Sequence, residues 1–274
     1  MAGSGSIRVG VGGWVYEPWR GVFYPDDLSQ KKELAYMSRR VTAIEINSTY
    51  YGSQKPATFA KWRDDTPDDF VFTAKGNRFC TNRRELADAG DSIKRFFDQG
   101  ITELGAKLGP IVWQLAPTKK FDEADFGAFL ELLPAKADGL SLRHAIEARH
   151  DSFRSPAFIA LLRRFDVAVV LAEHASYPGI PDVTGPFVYA RLQTGSDDEP
   201  LAYPPKALDM WAERFKTWAG GGEPDGLDLV DPAHPATPQT RDVFAFVIHE
   251  GKLRAPAGAG ALVERLGPGH AAAD

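Results

Sequence analysis

The stretch Thr42-Ala43-Ile44-Glu45-Ile46-Asn47 alternates in character, with Ile44 and Ile46 on one parity and Glu45 and Asn47 on the other. Successive side chains of a β-strand face opposite sides, so this segment sends aliphatic groups one way and polar groups the other. The same division recurs along the chain. Phe70, Phe72 and Ala74 alternate with Val71, Thr73 and Lys75; Ile146 and Ala148 alternate with Glu147 and Arg149. Val188, Ala190 and Leu192 alternate with Phe187, Tyr189 and Arg191. In each case the polar groups gather at the C-terminal end, and Gln114 lies near the end of a further apolar run.

Working outward, strands are expected at residues 7–12, 42–47, 70–75, 111–115, 144–149, 167–172, 187–192 and 243–249. Most are short, apolar and bounded by Gly, Pro, Asp or Asn, as buried parallel strands are. Helical periodicity lies between them. Ile93, Phe96, Phe97, Ile101 and Leu104 form one stripe over 92–104, and Phe126, Phe129, Leu130 and Leu133 another over 121–133. The helix at 155–165 opens with Ser155 as N-cap and Pro156 at the first helical position; helices at 208–218 and 260–266 complete the set. Eight strands separated by helices fit a closed (β/α)8 TIM-type barrel or a doubly wound sheet. The count favours the barrel, and no GxGxxG follows the first strand. The expectation is one barrel domain over 7–266, with flexible termini at 1–6 and 268–274. The Gly-, Pro- and Asp-rich segment 220–241 reads as a surface insertion on the N-terminal face.

Composition narrows the function. Of 274 residues, 43% are hydrophobic, enough for a substantial core, and the net charge of -5 excludes a globally basic nucleic-acid binder. A single cysteine, Cys80, excludes an intrachain disulfide and a cysteine-rich zinc site. No apolar run approaches the ~20 residues of a membrane span. Residues 1–6 lack the apolar stretch of a signal peptide. Together these point to a cytoplasmic protein with no membrane partner.

Unpaired charges inside a barrel would cost several kcal/mol each. Glu45, Lys75, Glu147, Arg149 and Arg191 are therefore expected to converge, pair and border water at the C-terminal mouth, where active sites of this architecture sit. The alternative is a capping layer of ion pairs without chemistry. Three cations among five groups point to a small anionic ligand, a phosphate or carboxylate clamped by Arg149 and Arg191. Lys75, desolvated beside arginines, would have a lowered pKa and act as base or nucleophile. Glu147 would act as acid or base. In the first loop, Trp14 and Tyr16 are candidates to cover a ligand ring, whereas Trp19 and Phe23 read as plugs of the barrel mouth. The loop after the third strand is basic, with Arg78, Arg83 and Arg84 beside Asn77 and Asn82. It offers phosphate contacts and with them an alternative nucleic-acid-binding function. Cys80 in that loop reads as an inert small residue. Glu147, His150, Glu173, His174 and His249 lie near strand ends, yet no HxH or HExxH occurs. No metal or cofactor is expected; a single carboxylate-bound Mg or Mn is the alternative.

Several strings also resemble the YecE-like family (domain of unknown function 72). They are Gly12-Gly13-Trp14-Val15-Tyr16 through Trp19-Arg20-Gly21-Val22-Phe23-Tyr24-Pro25, and Glu45-Ile46-Asn47-Ser48-Thr49-Tyr50-Tyr51. Trp62, Thr66-Pro67 and Phe70-Val71-Phe72-Thr73-Ala74-Lys75 follow, then Lys107-Leu108-Gly109-Pro110 with Gln114-Leu115, Glu147-Ala148-Arg149-His150 and Tyr189-Ala190-Arg191-Leu192. The resemblance implies a TIM barrel similar in outline to xylose isomerases and endonuclease IV-type enzymes, and no established reaction. It places characteristic polar residues at Trp14, Tyr16, Glu45, Asn47, Tyr50, Lys75, Gln114, Glu147, Arg149, His150 and Arg191. This chain departs from the family pattern at Thr81-Asn82, Glu173-His174 and Ile248-His249-Glu250.

The combined expectation is an enzyme acting on a small phosphorylated or polyhydroxylated anion. Lys75, Glu147, Glu45 and His150 are the catalytic candidates. Trp14, Tyr16, Asn47, Tyr50, Gln114, Arg149, Arg191 and Arg78 are the ligand-binding ones. A metal-dependent, phosphodiesterase-like reaction belongs with the nucleic-acid alternative. The sequence does not fix an oligomeric state.

Overall fold

Eight parallel strands close into a barrel in the computed structural model, which describes residues 5–248 and 250–267. In chain order they are β1 (Ile7–Gly12), β2 (Ala43–Ile46), β3 (Val71–Lys75), β4 (Leu108–Gln114), β5 (His144–Glu147), β6 (Ala168–Glu173), β7 (Phe187–Leu192) and β8 (Asp242–Val247). Each pairs with its sequence neighbours, and β8 returns to β1, so no sheet edge remains. The helices of more than one turn are α1 (Glu33–Met37), α2 (Pro56–Asp64), α3 (Gly90–Asp98), α4 (Glu123–Glu131), α5 (Pro156–Arg164), α6 (Pro205–Ala219) and α7 (Ala255–Leu266), and single turns lie at Ser48–Tyr51 and Arg78–Thr81. The fold is the (β/α)8 barrel that the strand count predicts. No described helix is long and apolar enough to cross a membrane.

Strand parity separates two apolar cores. Ala43, Val112, Ala145, Ala168, Val170, Phe187, Tyr189, Phe244, Phe246 and Ile248 fill the barrel interior. Their strand neighbours Ile44, Phe72, Ile111, Trp113, Ile146 and Ala190 face the helices. On β1 the inward positions include Gly10 and Gly12. A Cβ on Gly10 would lie 1.8 Å from the Ala43 carbonyl oxygen, and one on Gly12 2.8 Å from Asn47 Nδ2 and 2.9 Å from Ile248 Cγ2. The glycines thus allow close approach of the β2 backbone at Gly10 and of the Asn47 and Ile248 side chains at Gly12.

Local chemistry sets the helices as the sequence implies. The Ser155 hydroxyl accepts the Phe158 N–H at 3.2 Å and Pro156 opens α5, whose Phe158, Ile159, Leu161 and Leu162 are buried. Arg163 and Arg164 occupy its last turn, where the helix dipole favours cations. A two-residue hairpin, Lys136–Ala137 with Leu140–Ser141, precedes β5. Asp138 and Gly139 make its turn with φ of 46° and 81°, the conformation that favours Asp-Gly at a tight hairpin.

Two features qualify the expected barrel. First, no helix joins β6 to β7, a connection for which no helical stripe is expected: residues 174–186 carry Pro178, Gly179, Pro181 and Gly185, which oppose helix formation. Ile180 and Val183 are buried in the outer core there. The Thr184 hydroxyl accepts from Val169 N at 2.7 Å and donates to the Val167 carbonyl at 2.8 Å. Segment 220–241 is irregular and mostly exposed, as a surface insertion should be, and it packs beside this stretch. Asp182 accepts the N–H groups of Val230 and Asp231 at 2.8 and 2.9 Å, Asp231 pairs with Arg163 and Asp228 with Arg154, and Leu227 and Val230 pack on the outer core. Second, Gly5 and Ser6 are tied down. Gly5 N–H donates to Ala219 O, and Ser6 N and Oγ donate to Asp242 Oδ1 at 3.0 and 2.7 Å. The expectation of flexibility at 1–4 and 268–274, and the His249 end of the last predicted strand, lie outside the described residues.

Candidate active site at the barrel mouth

The inward parity of five strands delivers a ladder of polar groups above the apolar interior. At its base, the fully buried Tyr189 hydroxyl donates to Glu45 Oε2 at 2.8 Å and lies 2.9 Å from Thr73 Oγ1. Burial and the Glu45 charge push the Tyr189 phenol far above its ordinary range, which keeps it protonated as a donor. Arg191 sits above, between two carboxylates. Its Nη2 donates to Glu45 Oε1 at 3.1 Å and its Nη1 to Glu147 Oε2. Arg149 Nε donates to the other Glu147 oxygen at 2.7 Å, and its Nη2 to Gln114 Oε1 at 2.7 Å. That amide oxygen also accepts from Lys75 Nζ at 2.6 Å. The ammonium lies 4.5 Å from the centre of the Tyr50 ring, a cation–π contact. Tyr50 OH in turn accepts weakly from Gln114 Nε2 and Asn82 Nδ2 at 3.4 and 3.3 Å.

Electrostatics divides these groups into spent and unspent. Burial alone would raise the pKa of Glu147, but the charges of Arg191, Arg149 and Lys75 outweigh it and hold the carboxyl at about 2. Arg191 is desolvated as well, yet Glu147 and Glu45 push its pKa upward and keep it charged. Lys75 goes the other way: desolvation, then the Arg191 charge, lower it to about 8. Three cations face two carboxylates, so the fully ionised cluster carries one excess positive charge. Among the described residues Lys75 makes no hydrogen bond to a carboxylate; its partner is the Gln114 amide.

A cavity of about 830 Å³ opens over this layer. Lys75, Gln114, Arg149 and Arg191 form its charged floor, and Trp14, Trp19, Trp62, Ile46 and Ile248 its apolar walls. Trp14 stands edge-on to Trp62 with ring centres 4.9 Å apart. Asn47 lines the same space and donates from Nδ2 to the Glu45 carbonyl at 3.4 Å. The volume and the mixture of apolar wall and few polar groups suit a small molecule.

Of the residues singled out from sequence, Trp14, Asn47, Lys75, Gln114, Arg149 and Arg191 line the cavity, with Glu45, Glu147 and Tyr50 bonded behind them. Three lie elsewhere. Tyr16 packs on Trp19 at 5.3 Å, with the Lys252 ammonium 4.1 Å from its ring centre, and so braces the first loop. His150 Nδ1 is taken up by the backbone N–H and hydroxyl of Ser152 at 3.1 and 2.9 Å, which caps a short turn. Arg78 is exposed and lies over the Phe79 ring at 5.4 Å. A strand-end position selects the face of the barrel; it does not aim a loop side chain. Trp19 is 1% exposed and donates to the Lys252 carbonyl, and Phe23 packs among Trp19, Tyr24 and Tyr36. Cys80 is buried, and desolvation pushes its thiol up to about 12, in keeping with an inert role. Among the described residues no group of three or more His, Cys, Asp or Glu side chains is placed to share a metal ion.

Sequence reasoning missed Trp62, Gln193 and Tyr177. Gln193 continues the inward parity of Phe187, Tyr189 and Arg191, a signal present in the sequence. Tyr177, whose ring lies 4.5 Å from the Arg149 guanidinium and stacks on His174, sits in an irregular segment where parity says nothing.

Over residues 8–273 the sequence matches the family described as "Protein of unknown function DUF72". The chain belongs to the DUF72 family. It is 26% identical over 150 residues to the UPF0759 protein YecE of Escherichia coli K12, a match that covers 54% of this chain. The chain spans about half the length of the curated relatives it matches. Two solved DUF72 structures share its fold. One, from Thermotoga maritima, is 20% identical with a TM-score of 0.66, covering 94% of this chain and 96% of that one. The other, from Enterococcus faecalis, is 17% identical with a TM-score of 0.67, covering 95% of each.

Proposed function

We propose that the barrel mouth of this DUF72 protein is the active site of an enzyme acting on a small anion that carries a phosphate or carboxylate together with hydroxyl groups. Lys75 carries this reading: a buried ammonium on the floor of a cavity, beside Arg149 and without a carboxylate of its own. Burying such a charge costs stability, and an incoming anion would supply the missing partner. The clamp differs from the Arg149–Arg191 pair expected from sequence. Both terminal nitrogens of Arg191 are engaged by Glu45 and Glu147, which leaves Lys75 and Arg149 to meet the ligand.

The proton chemistry also falls to Lys75. Glu147 has both oxygens occupied and is held at about 2, so it anchors two arginines rather than exchanging protons near neutral pH. An amine that titrates near 8 is roughly one-tenth free base at pH 7 and passes readily between base and acid. Trp14 and Trp62 offer flat faces to the ligand's carbon skeleton.

Calorimetric titration of inorganic phosphate into wild-type protein and into Lys75→Met tests the site. Binding by the wild type and its loss in the variant are expected. Equal affinity in both proteins, or no binding by either, would end this reading. Tight binding of an oligonucleotide instead, falling steeply with salt, would favour the nucleic-acid alternative.

A further inference from the structure

The site holds a second polar feature that the anion does not explain. Gln193 follows β7 directly and its backbone is firmly held: its N–H donates to the Glu173 carbonyl at 3.0 Å and to Glu173 Oε2 at 3.1 Å. The same carboxylate oxygen accepts from the Tyr203 hydroxyl at 2.6 Å, and Thr194 N–H reaches that hydroxyl at 3.0 Å. The side chain is treated differently. Gln193 lines the mouth cavity and is 1% exposed, yet among the described residues neither Oε1 nor Nε2 has a hydrogen-bond partner. Arg191 Nε, two residues earlier on the same strand face, is also buried and unpartnered. Buried amides are seldom left unpaired, because desolvating them without a hydrogen bond is costly. Here the unpaired atoms belong to residues that line one cavity.

The position of Gln193 matters as much as its chemistry. In the closed ring of eight strands, β7 is four strands from β3 in either direction, so Gln193 lies across the mouth from Lys75. A ligand that reaches both has its anionic group at Lys75 and Arg149 and a different group at β7. That group must both donate and accept, since a glutamine amide presents a carbonyl and an NH2 in one plane. Neighbouring hydroxyls of a sugar or polyol match this demand. Trp14 and Ile248 supply apolar wall for the carbon skeleton, and Gly12, without a Cβ, lets Asn47 and Ile248 pack against the strand at the edge of the cavity.

We infer that the mouth takes a sugar phosphate or polyol phosphate, with the phosphate at Lys75 and Arg149 and the hydroxyls paired to Gln193 on the opposite wall. This inference rests on the anion-site reading above and adds the identity of the ligand's other end. Gln193 is then a specificity-determining residue.

The test compares inorganic phosphate with glucose 6-phosphate, ribose 5-phosphate and glycerol 3-phosphate by calorimetry. The proteins are wild type and Gln193→Met, a variant of similar length without the amide. At least one ester is expected to bind about tenfold more tightly than phosphate, the contribution of a well-placed hydrogen-bond pair. Gln193→Met should lose that gain and keep the affinity for phosphate itself, which also reports that the variant is folded. Without ligand, Gln193→Met should melt at a higher temperature, because an unpaired buried amide has been removed. Esters that bind no better than phosphate, or a gain that survives in Gln193→Met, would overturn the inference while leaving the anion site intact. So would a lower melting temperature, which would mean that ordered water already satisfies the amide. Failure of phosphate to bind the wild type would instead remove the anion site on which the inference stands.

Discussion

The interior of the barrel and its mouth are lined by the same strands on the same face, a few residues apart, and they follow opposite rules. Below, Val112, Ala145, Ala168, Val170, Phe244 and Phe246 pack ring against aliphatic group with no charge among them. Above, Glu45, Lys75, Glu147 and Arg191, all 6% exposed or less, put four ionisable side chains where burial penalises each of them. The lower layer is what makes the barrel stable. The upper layer weakens it unless every charge is paired, and Lys75 is the member left over. It is this imbalance on which the proposed ligand site rests.

The largest expected effect separates a structural charge from a functional one. Arg191→Met leaves two buried carboxylates facing each other, and chemical denaturation should show a loss of about 5 kcal/mol, the upper end for breaking a buried pair. Phe246→Ala in the apolar layer should cost about 4 kcal/mol through its cavity. If Arg191→Met proved the milder of the two, the mouth would not depend on its ion pairs as described.

pH distinguishes the mouth from the packed outer shell. His144 lies between strand and helix layers, where Trp113 Nε1 donates to its Nδ1 at 3.1 Å and Nε2 sits 2.8 Å from the Pro134 carbonyl. Burial lowers its pKa from 6.5 to about 4. The folded state therefore takes up the proton later than the unfolded chain, so His144 favours folding above pH 6.5, and this advantage fades as pH falls toward 4. The contribution is about 3 kcal/mol. Glu147, held at about 2, loses its contribution in a lower window, as pH falls from its ordinary value of 4.5 toward 2. Denaturant unfolding across pH should show two separate losses, of which His144→Asn removes only the first. A single loss centred near 4.5 would contradict the separation.

An effect of similar size has the opposite sign. Lys75 has its folded pKa lowered from 10.5 to about 8. The unfolded chain binds that proton more readily, so Lys75 subtracts stability below pH 8, and the penalty disappears as pH rises past 10.5. Lys75→Met should therefore stabilise the protein at pH 7 by about 3 kcal/mol, with no gain above pH 10.5. A destabilised variant would make Lys75 a structural residue.

Much of this was legible in the alternation of four short segments. The parity of Glu45, Lys75, Glu147, Arg149 and Arg191 placed them at one rim because a closed barrel offers an inward-facing residue no other surface. Parity could not say which charge meets which, and so it does not reveal that both terminal nitrogens of Arg191 are engaged by Glu45 and Glu147. It also fails where strands end. His150 and Arg78 follow strands and then turn into local capping or solvent, as loop side chains do when nothing fixes their direction. The helix missing between β6 and β7 was foreshadowed by the prolines and glycines at 178–185. The pairing of that stretch with 220–241 was not, since contacts between two irregular segments leave no periodicity to read.

The central claim is that Lys75 is a buried cation short of a partner. It is tested most directly by following its Nζ and Cε resonances by NMR from pH 6 to pH 11, with Lys75→Met for assignment. The structure predicts a midpoint near 8 that rises when phosphate is added. A midpoint at or above 10.5, unmoved by phosphate, would show an ordinary solvated or fully paired lysine and contradict the account.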